Sequence, residues 1–264
     1  MELWWMFLLL GAAVGFFAGL LGVGGGSIMV PVLTTLFASL QFLPAQQLHL
    51  ALGTSMAAII LTSIASTRSH QRHQAVLWPV VRLMSVGIIA GTFGASLFAA
   101  WLPQVPLAIF FTCFMAYVAL QLLLNIKPTP GRSLPGPLGM TAAGWGIGTI
   151  SALVAIGGGS LTVPFLTWCN VKVQQAIGTS AAMGLPIALS GTLGYAIAGW
   201  DQVGLPPFAV GYVYLPAVLL ISAVSFFTAP LGAALAHRLP VPLLKKIFAL
   251  LLLALAGKML LTVL

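Results

Sequence analysis

Three glycines followed by a serine occur twice in this chain, at residues 24–27 and at residues 157–160. We call these the two Gly-Ser breaks, because each glycine costs roughly 1 kcal/mol relative to alanine inside a helix. A proline follows each serine by four residues. Serine is a preferred N-cap, and the backbone N–H groups after it have no intrahelical partner. Unpaired N–H groups at the positive end of a helix dipole predict an anion site that needs no basic side chain.

A second polar motif, Gly-Thr-Ser, is also repeated, at residues 53–55 and 178–180. Its hydroxyl groups extend the predicted anion site. Two alternatives stay open: the glycines could serve close helix packing, and Ser or Thr within a helix often bonds to its own backbone. The candidate substrate-binding residues are Gly24, Gly25, Gly26, Ser27, Thr54, Ser55, Gly157, Gly158, Gly159, Ser160, Thr179 and Ser180.

Histidines and one arginine are possible accessory residues. His49 lies just before the first Gly-Thr-Ser motif, and His70, Arg72 and His73 share a basic segment. They could collect anions or carry protons. Alternatively, the basic segment is a solvent-exposed loop that fixes the orientation of the protein in the membrane, and His49 is an ordinary helix-end residue.

Several chemistries have no candidate residues. The chain's two acidic residues are Glu2 and Asp201, and neither lies in a predicted span, so carboxylate-based ion coupling or acid–base catalysis is not expected. Cys113 and Cys169 form no CxxC pair and are interpreted as packing thiols. We therefore expect no enzyme activity, no cofactor and no metal.

The composition predicts an α-helical membrane protein. Of 264 residues, 60% are hydrophobic and only 5% are charged, too few charges to cover a soluble domain of this length. The net charge of +8 is spread over short loops, which fits the positive-inside rule better than nucleic-acid binding. Apolar segments run over 3–22, 27–42, 48–66, 78–101, 105–125, 138–156, 160–170, 175–198, 208–236 and 243–263.

Segment 160–170 is shorter than the 20 or so residues that a span needs. It and its counterpart 27–42 therefore predict the second arms of helical hairpins or tilted, broken helices. Glycines spaced four residues apart predict helix faces for tight contact, in Gly11-xxx-Gly15-xxx-Gly19 and in Gly87-xxx-Gly91.

The repeated motifs divide the chain into two halves, 1–126 and 138–264, joined by a polar linker at 127–137. In the first half the basic loop is 67–82, and in the second half its counterpart carries Asp201 and no base. Four of the five basic residues of the second half fall instead in counterparts of uncharged loops: Lys172, Arg238, Lys245 and Lys246. The fifth, Lys258, is the one basic residue expected on the other face. This reversal predicts an inverted-topology repeat, in which each half is a Gly-broken hairpin followed by three transmembrane helices. The linker would be cytoplasmic and both termini periplasmic.

The doubled Gly-Gly-Gly-Ser…Pro frame, the doubled Gly-Thr-Ser and the segment SHQRHQAVLWP (69–79) resemble the sulfite exporter TauE/SafE family, also called the toluenesulfonate uptake permease family. The resemblance covers essentially the whole chain. It implies a bacterial inner-membrane permease for sulfite or an organosulfonate, whereas the residues alone indicate only a small anion. Export by alternating access at a site between the halves is expected. The alternatives are an anion channel, or a membrane factor that delivers sulfur to a partner. The oligomeric state is left open.

Overall fold

The computed structural model describes residues 4–21, 25–124, 131, 133–236 and 241–263. Nearly all regular structure in these residues is α-helical. The helices are α1 (Trp4–Leu21), α2 (Gly26–Ser39), α3 (Gln47–Arg72), α4 (Trp78–Ala99), α5 (Gln104–Leu123), α6 (Pro137–Val154), α7 (Gly159–Trp168), α8 (Val173–Ala198), α9 (Leu215–Ala236) and α10 (Val241–Val263). A 3₁₀ turn at Pro44–Gln46 precedes α3.

Six of these helices are long and apolar enough to cross a membrane, judged over the described residues: α3, α4, α5, α6, α8 and α9. Large apolar side chains cover the outside, among them Leu138 and Leu261, which are 85% and 80% exposed. By contrast, α2 and α7 have 14 and 10 residues, or about 21 and 15 Å at 1.5 Å per residue. The prediction of an all-α polytopic membrane protein with two short, broken arms is confirmed.

One predicted segment is divided in the structure. We expected a continuous apolar segment over 208–236, but α9 begins only at Leu215. The residues before it form a small antiparallel hairpin of β1 (Ala209–Val210) and β2 (Val213–Tyr214). Gly211, at its turn, has a φ of 53°, which is outside the helical region. Hydropathy alone could not distinguish this hairpin from the start of the helix.

The helix contacts repeat when the two halves are exchanged. Helix α1 packs along α9, and its counterpart α6 packs along α4. Likewise α3 packs on α9 and α8 on α4, while α3 meets α8 and α5 meets α10 across the halves. The motif-bearing helices α3 and α8 therefore form the centre of the described structure.

The counterpart helices α3 and α8 run in opposite directions where they touch. Along the α3–α8 contact, Gly53 lies against Tyr195 and Gly184 against Ser63, so residue numbers rise on one helix as they fall on the other. Gly11 packs on Ile221 and Gly19 on Ala229, so α1 runs parallel to α9. Similar contacts make α6 parallel to α4. An inverted-topology repeat requires this arrangement.

Glycines form the helix contacts that their spacing predicts. A Cβ atom on Gly11, Gly15 or Gly19 would overlap the backbone of α9, and one on Gly87 or Gly91 would overlap that of α6. From the other side, Gly144 and Gly148 of α6 bring its backbone equally close to α4. These small residues allow the two outer helix pairs to pack backbone against backbone.

The threonines of the Gly-Thr-Ser motifs tie each half to the other. Thr54 Oγ1 on α3 accepts a hydrogen bond of 3.0 Å from the Tyr214 N–H, just before α9. Thr179 Oγ1 on α8 accepts one of 3.0 Å from the Leu77 N–H, just before α4. The first N–H groups of a helix have no intrahelical acceptor, so each threonine supplies one to a helix of the opposite half.

Alanine substitution within α6 should separate packing from helix propensity. Gly144→Ala places a methyl group on the Met84 carbonyl, and we expect a loss of about 1–3 kcal/mol from overpacking. Gly146→Ala is the matched control, because nothing lies within 4 Å of its added Cβ. Melting temperatures of the two purified variants should differ clearly, and equal values would contradict the glycine-mediated contact.

Replacing Thr54 by valine should leave the Tyr214 N–H without its acceptor while keeping the side-chain volume. A buried, unsatisfied polar group costs about 1–3 kcal/mol, so denaturant titration in detergent should show a loss of that size. Thr54→Ser retains the oxygen and should lose less. Equal destabilisation by valine and serine would mean that packing, rather than the hydrogen bond, sets the effect.

Candidate functional site

Left-handed glycines begin the helices that follow the two breaks. Gly25 (φ 76°) is the N-cap of α2, and Gly158 (φ 81°) is the N-cap of α7. A residue with a Cβ would be strained at this φ. The expectation that Ser27 and Ser160 are the N-caps is therefore wrong: each is the second residue of its helix. Gly24 lies outside the described residues.

The first N–H groups of α2 and α7 are unpaired in the described structure. The Gly25 carbonyl accepts from the N–H groups of Ile28 and Met29, and the Gly158 carbonyl accepts from those of Leu161 and Thr162. The N–H groups at 26, 27, 159 and 160 have no acceptor among the described residues. The predicted bare donors are thus present at both breaks, although glycine and not serine precedes them.

The two serine side chains are also available. Ser27 is fully buried and Ser160 is 8% exposed, and neither Oγ atom has a hydrogen-bond partner in the described part of the chain. A buried hydroxyl group without a partner costs free energy. Both hydroxyls can therefore donate a hydrogen bond at the breaks.

The two breaks meet near the middle of the α3–α8 crossing. A Cβ on Gly26 would overlap the Ala155 carbonyl oxygen and lie 3.3 Å from the Ile59 side chain, at the midpoint of α3. On the other side, the carbonyl of Gly157 faces Gly184 of α8, and Gly158 packs against Ile187. Both breaks are thereby covered by helices rather than by lipid, as a broken backbone in a membrane requires.

The four hydroxyl-bearing residues of the two Gly-Thr-Ser motifs have different surroundings. Ser55 is one turn from Ile59 and Ser180 is one turn from Gly184, so each serine shares a helix face with a residue that touches a break. The Ser55 Oγ has no partner among the described residues, whereas the Ser180 Oγ donates to the Ile177 carbonyl.

Thr54 and Thr179 bond to the starts of helices in the opposite half rather than to groups at the breaks. The Oγ1 atoms of Thr54 and Thr179 accept from the N–H groups before α9 and α4. The antiparallel contact places these two residues about 14 positions apart, or about 20 Å along the helix axes. The structure therefore does not bring Thr54 and Thr179 together around one small ion.

The accessory candidates lie away from the breaks. His49 is buried, donates from Nε2 to the Ala99 carbonyl (3.2 Å) and packs on the Tyr212 ring. His70 is buried near the end of α3, Arg72 is exposed at that end, and the exposed His73 bonds through Nδ1 to the Ser69 carbonyl. His49 and His70 are ten and eleven residues from Ile59, or about 15 Å along the helix.

Charged residues are concentrated at one end of the described structure. Arg68 and Arg72 end α3, Arg82 begins α4, and the contact of Ala75 with Gly178 brings Lys172 to the same end. Asp201 follows α8 at the opposite end. Four further residues of the predicted basic face lie outside the described residues: Lys127, Arg132, His237 and Arg238. The distribution follows the charge pattern of the sequence, with the centre left to uncharged groups.

One contributor to the site was missed from the sequence. Ala155 ends α6 in a left-handed conformation (φ 46°), which is strained for a residue with a Cβ, and its carbonyl faces Gly26. The two break frames, 19–31 and 152–164, align Ala155 with Gly22. That glycine could have indicated a left-handed position here. Ser151, one turn earlier, carries another buried Oγ without a partner among the described residues.

Comparison with known proteins agrees with this architecture. The family model described as sulfite exporter TauE/SafE matches residues 7–259. A probable membrane transporter protein of Haemophilus influenzae is 40% identical over 254 residues, covering 96% of each chain. Another, of Methanocaldococcus jannaschii, is 22% identical over 89% of this chain and 86% of its own. The probable membrane transporter protein YdhB of Bacillus subtilis is 27% identical, over 84% of this chain and 96% of its own.

No solved structure matches this chain. The family match extends over both Gly-Ser breaks and both Gly-Thr-Ser motifs, and the H. influenzae relative is similar over almost its full length. The chain therefore belongs to the sulfite exporter TauE/SafE family of membrane transporters.

Proposed function

We propose that this transporter carries a small sulfur-containing oxyanion, sulfite or an organosulfonate, bound where the two Gly-Ser breaks meet. The observation that carries the proposal is that the N–H groups at 26–27 and 159–160 and the hydroxyls of Ser27 and Ser160 lie together without partners in the described part of the chain. All of these groups can donate hydrogen bonds, which suits the oxygens of an anion. The choice of sulfur compounds comes from the family.

Helix dipoles supply the attraction in the absence of basic side chains. The positive ends of α2 and α7 both begin at the centre, and transporters with broken helices use such ends to hold anionic substrate groups. Ser55, whose hydroxyl has no partner among the described residues and which lies one turn from Ile59, would add one more donor. Ser180 already donates its hydroxyl hydrogen to the Ile177 carbonyl, so we assign it to positioning. Thr54 and Thr179 we also assign to positioning, because about 20 Å along the helix axes separates them and each bonds to the backbone of the opposite half.

We further propose that the halves are inverted repeats and that two bodies, α1–α3–α9 and α4–α6–α8, rock against each other, exposing the central site to one side at a time. The antiparallel α3–α8 contact and the exchanged helix pairs support this mechanism. An inside-negative membrane potential is worth about 2.3 kcal/mol per charge per 100 mV and drives an anion outward, so export is the expected direction. Vesicle transport that ignores an imposed potential would contradict it.

The orientation that we propose places the basic end in the cytoplasm of a bacterial cell and both termini in the periplasm. Asp201→Cys and Lys172→Cys, each introduced into a Cys113→Ser/Cys169→Ser background, probe exposed positions at opposite ends. A membrane-impermeant maleimide should label the Asp201→Cys variant in intact cells and the Lys172→Cys variant only after permeabilisation. The opposite labelling pattern would overturn this orientation.

Anion binding can be tested by thermal stability of the detergent-purified protein. Sulfite, thiosulfate, sulfoacetate, taurine, sulfate and chloride should be compared on the wild type and on Ser27→Ala/Ser160→Ala. A ligand at about 100 times its Kd stabilises the folded state by about 2.7 kcal/mol, which gives a measurable shift in Tm. At least one sulfur anion should shift the wild type and have little effect on the double variant.

Ser39→Ala provides the matched control, because Ser39 lies on the same helix as Ser27 but is exposed and bonds to the Thr35 carbonyl. It should keep the wild-type response. If the double variant responds to the anion as strongly as the wild type, the breaks are packing hinges and the binding site lies elsewhere.

A further inference from the structure

We propose that the central site accepts singly charged anions and rejects doubly charged ones. A sulfur oxyanion would then bind as hydrogensulfite or as a sulfonate, and not as the sulfite or sulfate dianion. This inference rests on the proposed function and specifies the charge of the substrate at that same site. It follows from the partial charges that the structure brings to the centre and from the exposure of every charged side chain that the structure describes, Lys246 and Lys258 of α10 included.

The positive charge available at the site is small. The N-terminus of an α-helix is equivalent to roughly half an elementary charge, and α2 and α7 are both long enough to count, with 14 and 10 residues. Together they supply about one positive unit. The carbonyl end of α6 lies beside them, since the Ala155 oxygen faces Gly26, and it adds negative partial charge. One elementary charge is therefore the upper bound of the positive charge that the helix ends offer to a bound anion.

No side chain described near the site raises this total. The helices α1, α2, α6, α7, α8 and α9 contain no lysine, arginine, aspartate or glutamate. On α3, Arg68 is exposed and lies nine residues beyond Ile59, or about 13 Å along the axis. The buried His49 and His70 of the same helix are farther still.

The serine hydroxyls add hydrogen bonds without adding charge. Ser27 and Ser160 are more than nine-tenths buried, and their Oγ atoms lack partners in the described residues, so each can donate to an anion oxygen. A monoanion would then be both neutralised and hydrogen-bonded. A dianion would leave one uncompensated negative charge in a place shielded from water, which is strongly unfavourable.

Calorimetric titration of the purified full-length protein can test this charge rule. Methanesulfonate and sulfate, compared at constant ionic strength, serve as a permanent monoanion and a permanent dianion with similar oxygen atoms. Methanesulfonate should bind at least about tenfold more tightly, which corresponds to 1.4 kcal/mol. This comparison uses the wild type and so does not depend on whether any variant folds.

Sulfite supplies a second readout, because protonation converts its dianion to hydrogensulfite. The apparent affinity for total sulfite should rise as the pH falls, while that for methanesulfonate should stay constant. The methanesulfonate series thus reports any contribution from titration of His49, His70 or the exposed His73. An affinity for sulfite that is independent of pH, or that falls with pH, would contradict the charge rule.

Failure of the inference and failure of the proposed function give different results. Ser27→Ala/Ser160→Ala should abolish methanesulfonate binding, and Ser39→Ala should preserve it. If sulfate binds as tightly as methanesulfonate and is lost in the double variant, the charge rule is wrong and the anion site stands. If no anion binds in a serine-dependent way, the proposed function itself is wrong.

Discussion

The structure depends on one constraint: a backbone polar group in the hydrocarbon layer needs a hydrogen-bond partner or cover from other protein. A continuous helix meets this constraint with its own backbone hydrogen bonds, and the two breaks interrupt those bonds. The crossed pair α3–α8 provides the cover, with Ile59 on one break and Gly184 on the other. At these breaks the N–H groups at 26, 27, 159 and 160 and the Oγ atoms of Ser27 and Ser160 are left without a partner among the described residues. The breaks are therefore sheltered and incompletely satisfied, as a binding site inside a membrane protein must be.

Glycine sets how closely the helices around this centre approach. Helix pairs α1–α9 and α4–α6 are in backbone contact along several turns, with Gly15 and Gly144 at their centres. Helices packed this closely deform little, so each pair should move as one body. The central helices α3 and α8 touch partly through side chains, such as Met56 against Gly191 and Ser63 against Gly184. Each outer pair joins a helix of one half to a helix of the other, so the bodies that can move apart are α1–α3–α9 and α4–α6–α8, and the α3–α8 contact between them accommodates that movement more easily than the outer pairs do.

Much of the architecture follows from local sequence. Apolar length and the glycine spacings determine the helices, the broken arms and the close contacts of Gly11 and Gly87, because each depends on a few neighbouring residues. The site was only partly predictable. A GGGS run shows that a helix restarts, but not that Gly25 and Gly158 adopt the left-handed cap that moves Ser27 one position into the helix. The long-range partners of Thr54 and Thr179 are Tyr214, in β2, and Leu77, just before α4, and neither belongs to a repeated motif, so no local pattern could have revealed them.

Those threonine hydrogen bonds also bear on whether either half could fold by itself. The oxygen of Thr54 serves a helix of the second half, and that of Thr179 serves a helix of the first. One half alone would leave both its threonine and its own helix start unsatisfied. A chain cut at the linker would therefore keep these groups unpaired in each fragment until the two fragments assemble with each other.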